Sequence, residues 1–264
     1  MRTFKIDDLE FLDHQPSVDW EGYLIEENGV TGWHDGVDAR RDADERHYGH
    51  GAFGQPGDLD ARVIVVRGKV VARTVLKLEH LRRRLTSFLA DGHLARISED
   101  VAGETWWAQG RQGTRPTAPL ANSGDTFSPF QLNLWCENPR IFSDTFDFGP
   151  NPGSVFIEQT SGTFEAEVEL EITAITSMVG GYGVHLMSGA ATLGHVRVQA
   201  TLSAGQTHVI RDGVVYQNGA PILGAVQSGD SWTLPPNGTY LAYLAPVSEA
   251  GSGSVRVRGL NTRV

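Results

Sequence analysis

Only one stretch of this 264-residue sequence carries a helical period. From about Val75 to Asp91, the side chains of Leu78, Leu81, Leu85, Phe88 and Leu89 fall within an arc of roughly 100° at 3.6 residues per turn. Gly92 stands where a helix-ending glycine is expected. Elsewhere apolar residues alternate with polar ones, or come in short runs bounded by Gly, Pro, Asn and Asp. A chain with one helix and many short strands folds as a mainly β protein, because strands bury a face only by pairing and stacking. The 31 glycines and 12 prolines supply the turns such a chain needs.

The strands can be placed in turn. Phe4, Ile6 and Leu9 open the chain, and Trp20, Tyr23 and Ile25 lead to a turn at Asn28-Gly29. Residues 31–60 are rich in Gly, Asp and His and are expected to form a loop. Arg62 to Arg67 is a short apolar run, and Gly68-Lys69 suits a type II′ turn returning through Val70 to Thr74. Leu94 to Val101 and Thr105 to Gln109 form a hairpin about Ala102-Gly103, and residues 110–125 an irregular connection. Phe130, Leu132, Leu134 and Cys136 share one face of a strand. Ser143 to Gly153, with Pro150 and Pro152, marks a domain boundary. We expect domains 1–143 and 144–264.

The second half is the more plainly β. Phe164, Ala166, Val168, Leu170 and Ile172 alternate with Glu165, Glu167, Glu169 and Glu171. Val196, Val198, Ala200 and Leu202 alternate with His195, Arg197, Gln199 and Thr201. Asp212-Gly213 is a type I′ hairpin signal, and Asn218-Gly219 marks the next turn. Strands spaced every 8 to 12 residues suggest a sandwich.

Composition removes several functions. A net charge of -10 argues against a nucleic-acid-binding surface. The single cysteine, Cys136, excludes an intrachain disulfide and a zinc site built on cysteines. No apolar run approaches the ~20 residues that span a bilayer, so no membrane insertion is expected. The opening MRTFKIDDLEFL has no signal-peptide core, which fits synthesis in a cytoplasm.

Chemistry-bearing residues are few. Four glutamates on one strand repeat every ~6.5 to 7 Å along a single face, which suits a solvated row better than a glycosidase pair. Arg256, Arg258 or Arg197 has the alternation to neutralise them. His34, His47 and His50, with Asp35, Asp38, Asp42 and Asp44, lack diagnostic metal spacing; a loop ordered at a subunit contact is the plainer reading. No G-x-S-x-G elbow is present. Gly180-Gly181-Tyr182-Gly183 has no following helix to hold a phosphate and suits a strand bend. Cys136 is a buried small hydrophobe. Arg82, Arg83 and Arg84 point about 100° apart and form flanks of the helix, not one patch. Of Trp106 and Trp107, one faces in and one out. No catalytic residue, metal or cofactor is expected.

The sequence resembles the distal tail (Dit) family of long, noncontractile-tailed bacteriophages. The carrying residues are His47-Tyr48-Gly49-His50-Gly51-Ala52-Phe53 and Arg62 to Ala72, then the helix ending at Gly92. Next come Phe130-Gln131-Leu132-Asn133-Leu134, Asn138-Pro139-Arg140-Ile141-Phe142-Ser143 and the Trp232 to Gly238 corner. Asn138 replaces the family's commoner Asp, and Asn237-Gly238 a plain Gly. The resemblance implies an N-terminal β domain of split-barrel or sandwich form with one helix, and a C-terminal galectin-like β-sandwich. It implies a non-enzymatic structural protein of the virion tail tip, assembled as a homohexameric ring. Its partners would be its own copies, the tail tube protein, the tape measure protein and the tail hub or tail-associated protein, with DNA only in passage. For the ring contact we expect Arg62, Val63, Ile64, Val65 and Val66, exposed as a strand edge, with His47, His50 and Phe53 of the preceding loop. Two other readings remain: a carbohydrate-binding module with Trp232 at the sugar, and a glycoside hydrolase using Glu167 or Glu169.

Overall fold

Alternating residues become strands throughout the chain, and the single amphipathic segment becomes a helix. The computed structural model describes residues 2–40, 58–119, 125–159, 161–229, 232–248 and 250–264. The chain divides into two units, Met1–Ile141 with Val264, and Phe142–Arg263.

The first unit runs β1 (Thr3–Ile6), β2 (Leu9–Leu12), β3 (Gly22–Thr31), β4 (Ala39–Arg40), β5 (Asp58–Leu59), β6 (Arg62–Val71), α1 (Val75–Ser87), β7 (Ala95–Val101), β8 (Glu104–Thr117) and β9 (Phe127–Cys136). Its main sheet closes on itself in the order β8-β7-β1-β2-β3-β6-β9, with β9 pairing back to β8. Closure leaves the inward row of every strand nowhere to go but a common core. Phe4, Ile6, Phe11, Ile64, Val66, Ile97, Leu132 and Leu134 fill it. α1 adds Leu78, Leu81 and Leu85 to the same core, and Tyr23 on β3 donates its hydroxyl to the Leu81 carbonyl at 3.0 Å. Thr74 caps α1, its side chain accepting from the Lys77 amide at 3.2 Å.

Four local expectations are corrected here. Arg62–Val71 is one continuous strand, not a hairpin. Gly68 lies in mid-strand because a Cβ there would stand 2.1 Å from the Leu24 carbonyl oxygen and 2.9 Å from the Phe130 ring. Asn28-Gly29 is a bulge inside β3, where the register with β6 shifts between Ile25 and Val30. Residues 110–117 belong to β8, which leaves β7 at Gly110 and joins β9. Gly110 permits the crossing, since a Cβ would meet the Ile97 side chain at 2.8 Å and the Cys136 sulfur at 2.9 Å. Finally, α1 stops at Ser87, short of Asp91: Phe88 turns extended, and Leu89, buried in the core, takes a φ of 60°.

The second unit contains β10 (Ile141–Pro152), β11 (Ser154–Gln159), β12 (Ala166–Thr176), β13 (Tyr182–Ser188), β14 (Ala191–Val198), β15 (Thr207–Arg211), β16 (Val214–Gln217), β17 (Ala220–Ile222), β18 (Val226–Gly229), β19 (Thr233–Leu234), β20 (Gly238–Pro246) and β21 (Ser252–Arg263). The segment Ser143 to Gly153, read from the sequence as a domain boundary, lies almost wholly in the strand β10. One sheet has the order β17-β16-β15-β12-β21-β10, with β19 on the start of β12, and the other β11-β20-β13-β14-β18. Their inner rows meet in one core, with Leu170, Ile172, Val255 and Val257 from the first sheet and Val184, Leu186, Val196, Ala242 and Leu244 from the second. This is a two-sheet antiparallel sandwich.

Candidate assembly surface

The residues expected at a subunit contact sort by the pleat of β6. Arg62, Ile64 and Val66 point inward, at 2 %, 0 % and 0 % exposure. Arg62 is an internal staple. Its Nε donates to the Pro139 carbonyl at 2.8 Å, and its Nη1 to the carbonyls of Gly32 and Asp35 at 2.5 and 2.9 Å. The β6 strand pairs with β9 along its whole length and with β3 over Val65–Val71. Val65 and Val66 therefore have a strand on both sides, so strand addition has no open edge at those two residues. Val63 and Val65 do face outward. His47, His50 and Phe53 lie outside the described residues.

The outer face of β6 continues onto its neighbours. Val63 stands opposite Trp135 on β9, and Trp135 opposite Arg111 on β8. Val63 is 53 % exposed and Trp135 41 %. Arg111 is held in place by Glu137 at 2.9 Å and the Gly92 carbonyl at 2.9 Å. Further along, Arg67 donates to Gln131 at 3.1 Å, and Lys69 lies 5.9 Å above the ring of Phe127. The face is thus apolar at Val63 and Trp135 and basic along Arg67, Lys69 and Arg111. Tryptophan and arginine, backed by a fixed sheet, are the side chains that most often carry binding energy at protein interfaces.

Among the described residues, the groups considered for chemistry are otherwise engaged. His34 faces Glu99 at 3.2 Å, and the buried Glu99 carboxylate also accepts from Trp33 Nε1 at 2.6 Å and from Arg2. Trp33 itself is fully buried, edge-on to Phe4 at 5.4 Å. A tryptophan inside a Gly- and Asp-rich stretch was the one signal that this part of the loop is anchored in a core. Asp35 accepts from the Gly32 amide at 2.6 Å. Among the described residues no cluster of three or more His, Cys, Asp or Glu could hold a metal, and Asp42 and Asp44 lie outside them. Burial pushes the Cys136 thiol up to about 12, with Arg62 opposing, so it is no thiolate nucleophile. In the glutamate row, Glu169 and Glu171 sit opposite Arg258 and Arg256. Arg258 pairs diagonally with Glu171, Arg256 pairs with Asp147, and Glu165 accepts from Thr233 at 2.8 Å. Arg197 lies on the other sheet. Trp232 is half-buried against the sandwich core, its Nε1 enclosed. Of the arginine triplet, Arg82 and Arg83 hold Glu79 and pull its carboxyl down to about 2, while Arg84 reaches Asp8 at 2.5 Å. Trp107 faces out beneath Arg96 at 4.4 Å, and Trp106 packs on the core.

The described residues thus form a closed β barrel carrying one helix, joined in sequence to a two-sheet sandwich, with an apolar-basic row on the barrel's outer face. No family model and no curated protein matches the sequence. Among solved structures the chain is similar to the Dit protein (gp 19.1) of phage SPP1, described as a paradigm of the hub adsorption apparatus in phages infecting Gram-positive bacteria. The two share 18 % identity at a TM-score of 0.69, over 100 % of each chain. Two structures of the phage p2 baseplate in its activated conformation, with Ca and with Sr, align at 7 % identity over 98 % of each chain with TM-scores of 0.44 and 0.42. The fold is therefore that of the SPP1 Dit protein, in agreement with the resemblance drawn from the sequence.

Proposed function

We propose that this protein is a non-enzymatic structural adaptor of a phage tail tip. Its copies form a homohexameric ring that joins the tail tube to the baseplate hub and the receptor-binding apparatus. The observation that carries this reading is a fold shared with the SPP1 Dit protein from end to end, in both units. The barrel unit is the ring-forming part, and the sandwich is its galectin-like companion. The partners are further copies, the tube, tape measure and hub proteins, with DNA passing through, and the location is the virion tail tip after synthesis in the host cytoplasm.

A ring needs a heterologous contact that closes by rotation, and the outer face of β6, β9 and β8 is the surface we assign to it. The test is native mass spectrometry of the purified full chain. A hexamer is expected, and Trp135→Ala combined with Val63→Asp should raise its dissociation constant at least about 100-fold, as loss of a central aromatic does elsewhere. Thermal unfolding of the variant monitors its folding. Unchanged hexamers would move the contact elsewhere, and a strict monomer at every concentration would overturn self-assembly of the free chain.

A further inference from the structure

The two sheets of the second unit end in different ways. β17, at one end of the first sheet, is three residues long and carries Pro221. β18, at one end of the second, is four residues long and shifts register against β14. Short strands, proline and bulges are the devices that keep a sheet edge from taking up another strand. β11, at the other end of the second sheet, has none of them. It runs six residues, Ser154–Gln159, in unbroken register with β20, and contains no proline, glycine or lysine.

The register shows which groups this strand leaves open. The Leu244 amide donates to the Gly153 carbonyl at 2.8 Å, and that bond fixes the alternation along the ladder. Val155, Ile157 and Gln159 bond to β20, so Ser154, Phe156 and Glu158 turn their N–H and C=O groups to the other edge. Among the described residues no strand pairs there. Phe156 is 72 % exposed, and it stands in an apolar row with Leu241 on β20 and Met187 on β13.

We propose that this edge pairs with the same edge of a second copy of the chain, the two β11 strands running antiparallel about a twofold axis at Phe156. The side chains select this partner and this register. The two Phe156 rings lie opposite each other, and each Glu158, the only charge in the strand, lies opposite Ser154. A slide that set the two Glu158 carboxylates face to face would repel and would leave both Phe156 rings unmatched. In the chosen register the apolar row crosses the axis unbroken, from Met187 of one copy to Met187 of the next. The contact lies wholly in the second unit and does not use the barrel face assigned to the ring.

Two six-residue edges make a small contact beside the ~1,600 Å² of a standard interface, so a cross-link is the sensitive probe. The experiment is copper-phenanthroline oxidation of the full chain carrying Phe156→Cys. Val63→Asp and Trp135→Ala are present as well, so that ring formation and edge pairing are read apart. The native Cys136 is buried and stays out of the reaction. A hydrogen-bonded antiparallel pair holds its Cα atoms ~5.5 Å apart, within reach of a disulfide, whereas two residues at position 158 would lie roughly 13 Å apart along the strands. Disulfide-linked dimer should therefore form at least about tenfold faster from Phe156→Cys than from Glu158→Cys, or from Leu223→Cys at an exposed site of the same unit. Adding Glu158→Pro should return Phe156→Cys to the control rate, because it removes an outward N–H and spares the ladder to β20. Circular dichroism checks that each variant folds. Cross-linking of Phe156→Cys no faster than the controls, or untouched by Glu158→Pro, overturns the proposal, and the first result leaves the edge to a different strand or to none.

Discussion

His208 shows how one side chain sets the pH response of the sandwich. It is fully buried on β15. Its Nδ1 lies 3.0 Å from the Tyr182 hydroxyl, and its Nε2 has no partner. A proton taken up by this ring would bring a buried charge with nothing at Nε2 to receive it, so burial holds its pKa below the ordinary 6.5. The unfolded chain binds that proton near pH 6.5 while the folded one resists it. Stability therefore falls as pH drops below about 6.5, by at most about 1.4 kcal/mol per pH unit. His208→Asn keeps a hydrogen-bonding group but does not titrate. Urea unfolding at pH 7.5 and pH 5 should show a larger loss in the parent than in the variant; equal losses would remove His208 as the cause. His93 acts with the opposite sign. Asp91 and then Asp7 raise its pKa, so what it contributes is present in acid and fades as pH rises through that raised value.

Elements differ in how far their own residues dictate them. Asp212-Gly213 and Asn218-Gly219 look like Asn28-Gly29 in sequence, and both make the expected tight turns, with φ of 51° and 71°, then 53° and 79°. Asn28 also takes a positive φ, 56°, yet β3 continues past it, because β6 alongside supplies partners on both sides of the bulge. Gly68-Lys69 fails as a turn for the same reason, with β3 and β9 holding β6 straight. Local chemistry fixes what a residue tolerates, and the partner strand decides what is made of it. Periodic stretches such as Phe130 to Cys136 were therefore legible, whereas β8 beyond Gly110 was not, since its partner changes midway. Gly68 gives the test. If it serves close approach, Gly68→Ala costs about 2–3 kcal/mol through overpacking against the Leu24 carbonyl and Phe130. If it were a flexible turn glycine, the same change would be near neutral. Equilibrium urea unfolding separates the two outcomes.

For the whole molecule, charge and the outer barrel face pull in opposite directions. Each copy carries -10, so copies repel at long range. The candidate contact row is apolar at Val63 and Trp135, and burial of such surface changes little at modest salt. The sequence pointed to Val63 and Val65 through the β6 segment. Trp135 and Arg111 could not be joined to them, since only the closed barrel brings β9 and β8 alongside. The two forces predict a salt dependence for the proposed ring. The screening length shrinks from ~30 Å at 0.01 M to ~8 Å at 0.15 M ionic strength, which weakens repulsion between copies and leaves the apolar contact intact. Light scattering across protein concentration should therefore find the ring forming at lower concentration in 0.15 M salt than in 0.01 M. The reverse trend would mean that Arg67, Lys69 and Arg111 bind acids on the neighbouring copy and hold the contact by ion pairs, which salt weakens. Charge reversal at Lys69 would then break the ring, whereas under the apolar reading Lys69→Glu leaves it standing and Trp135→Ala does not.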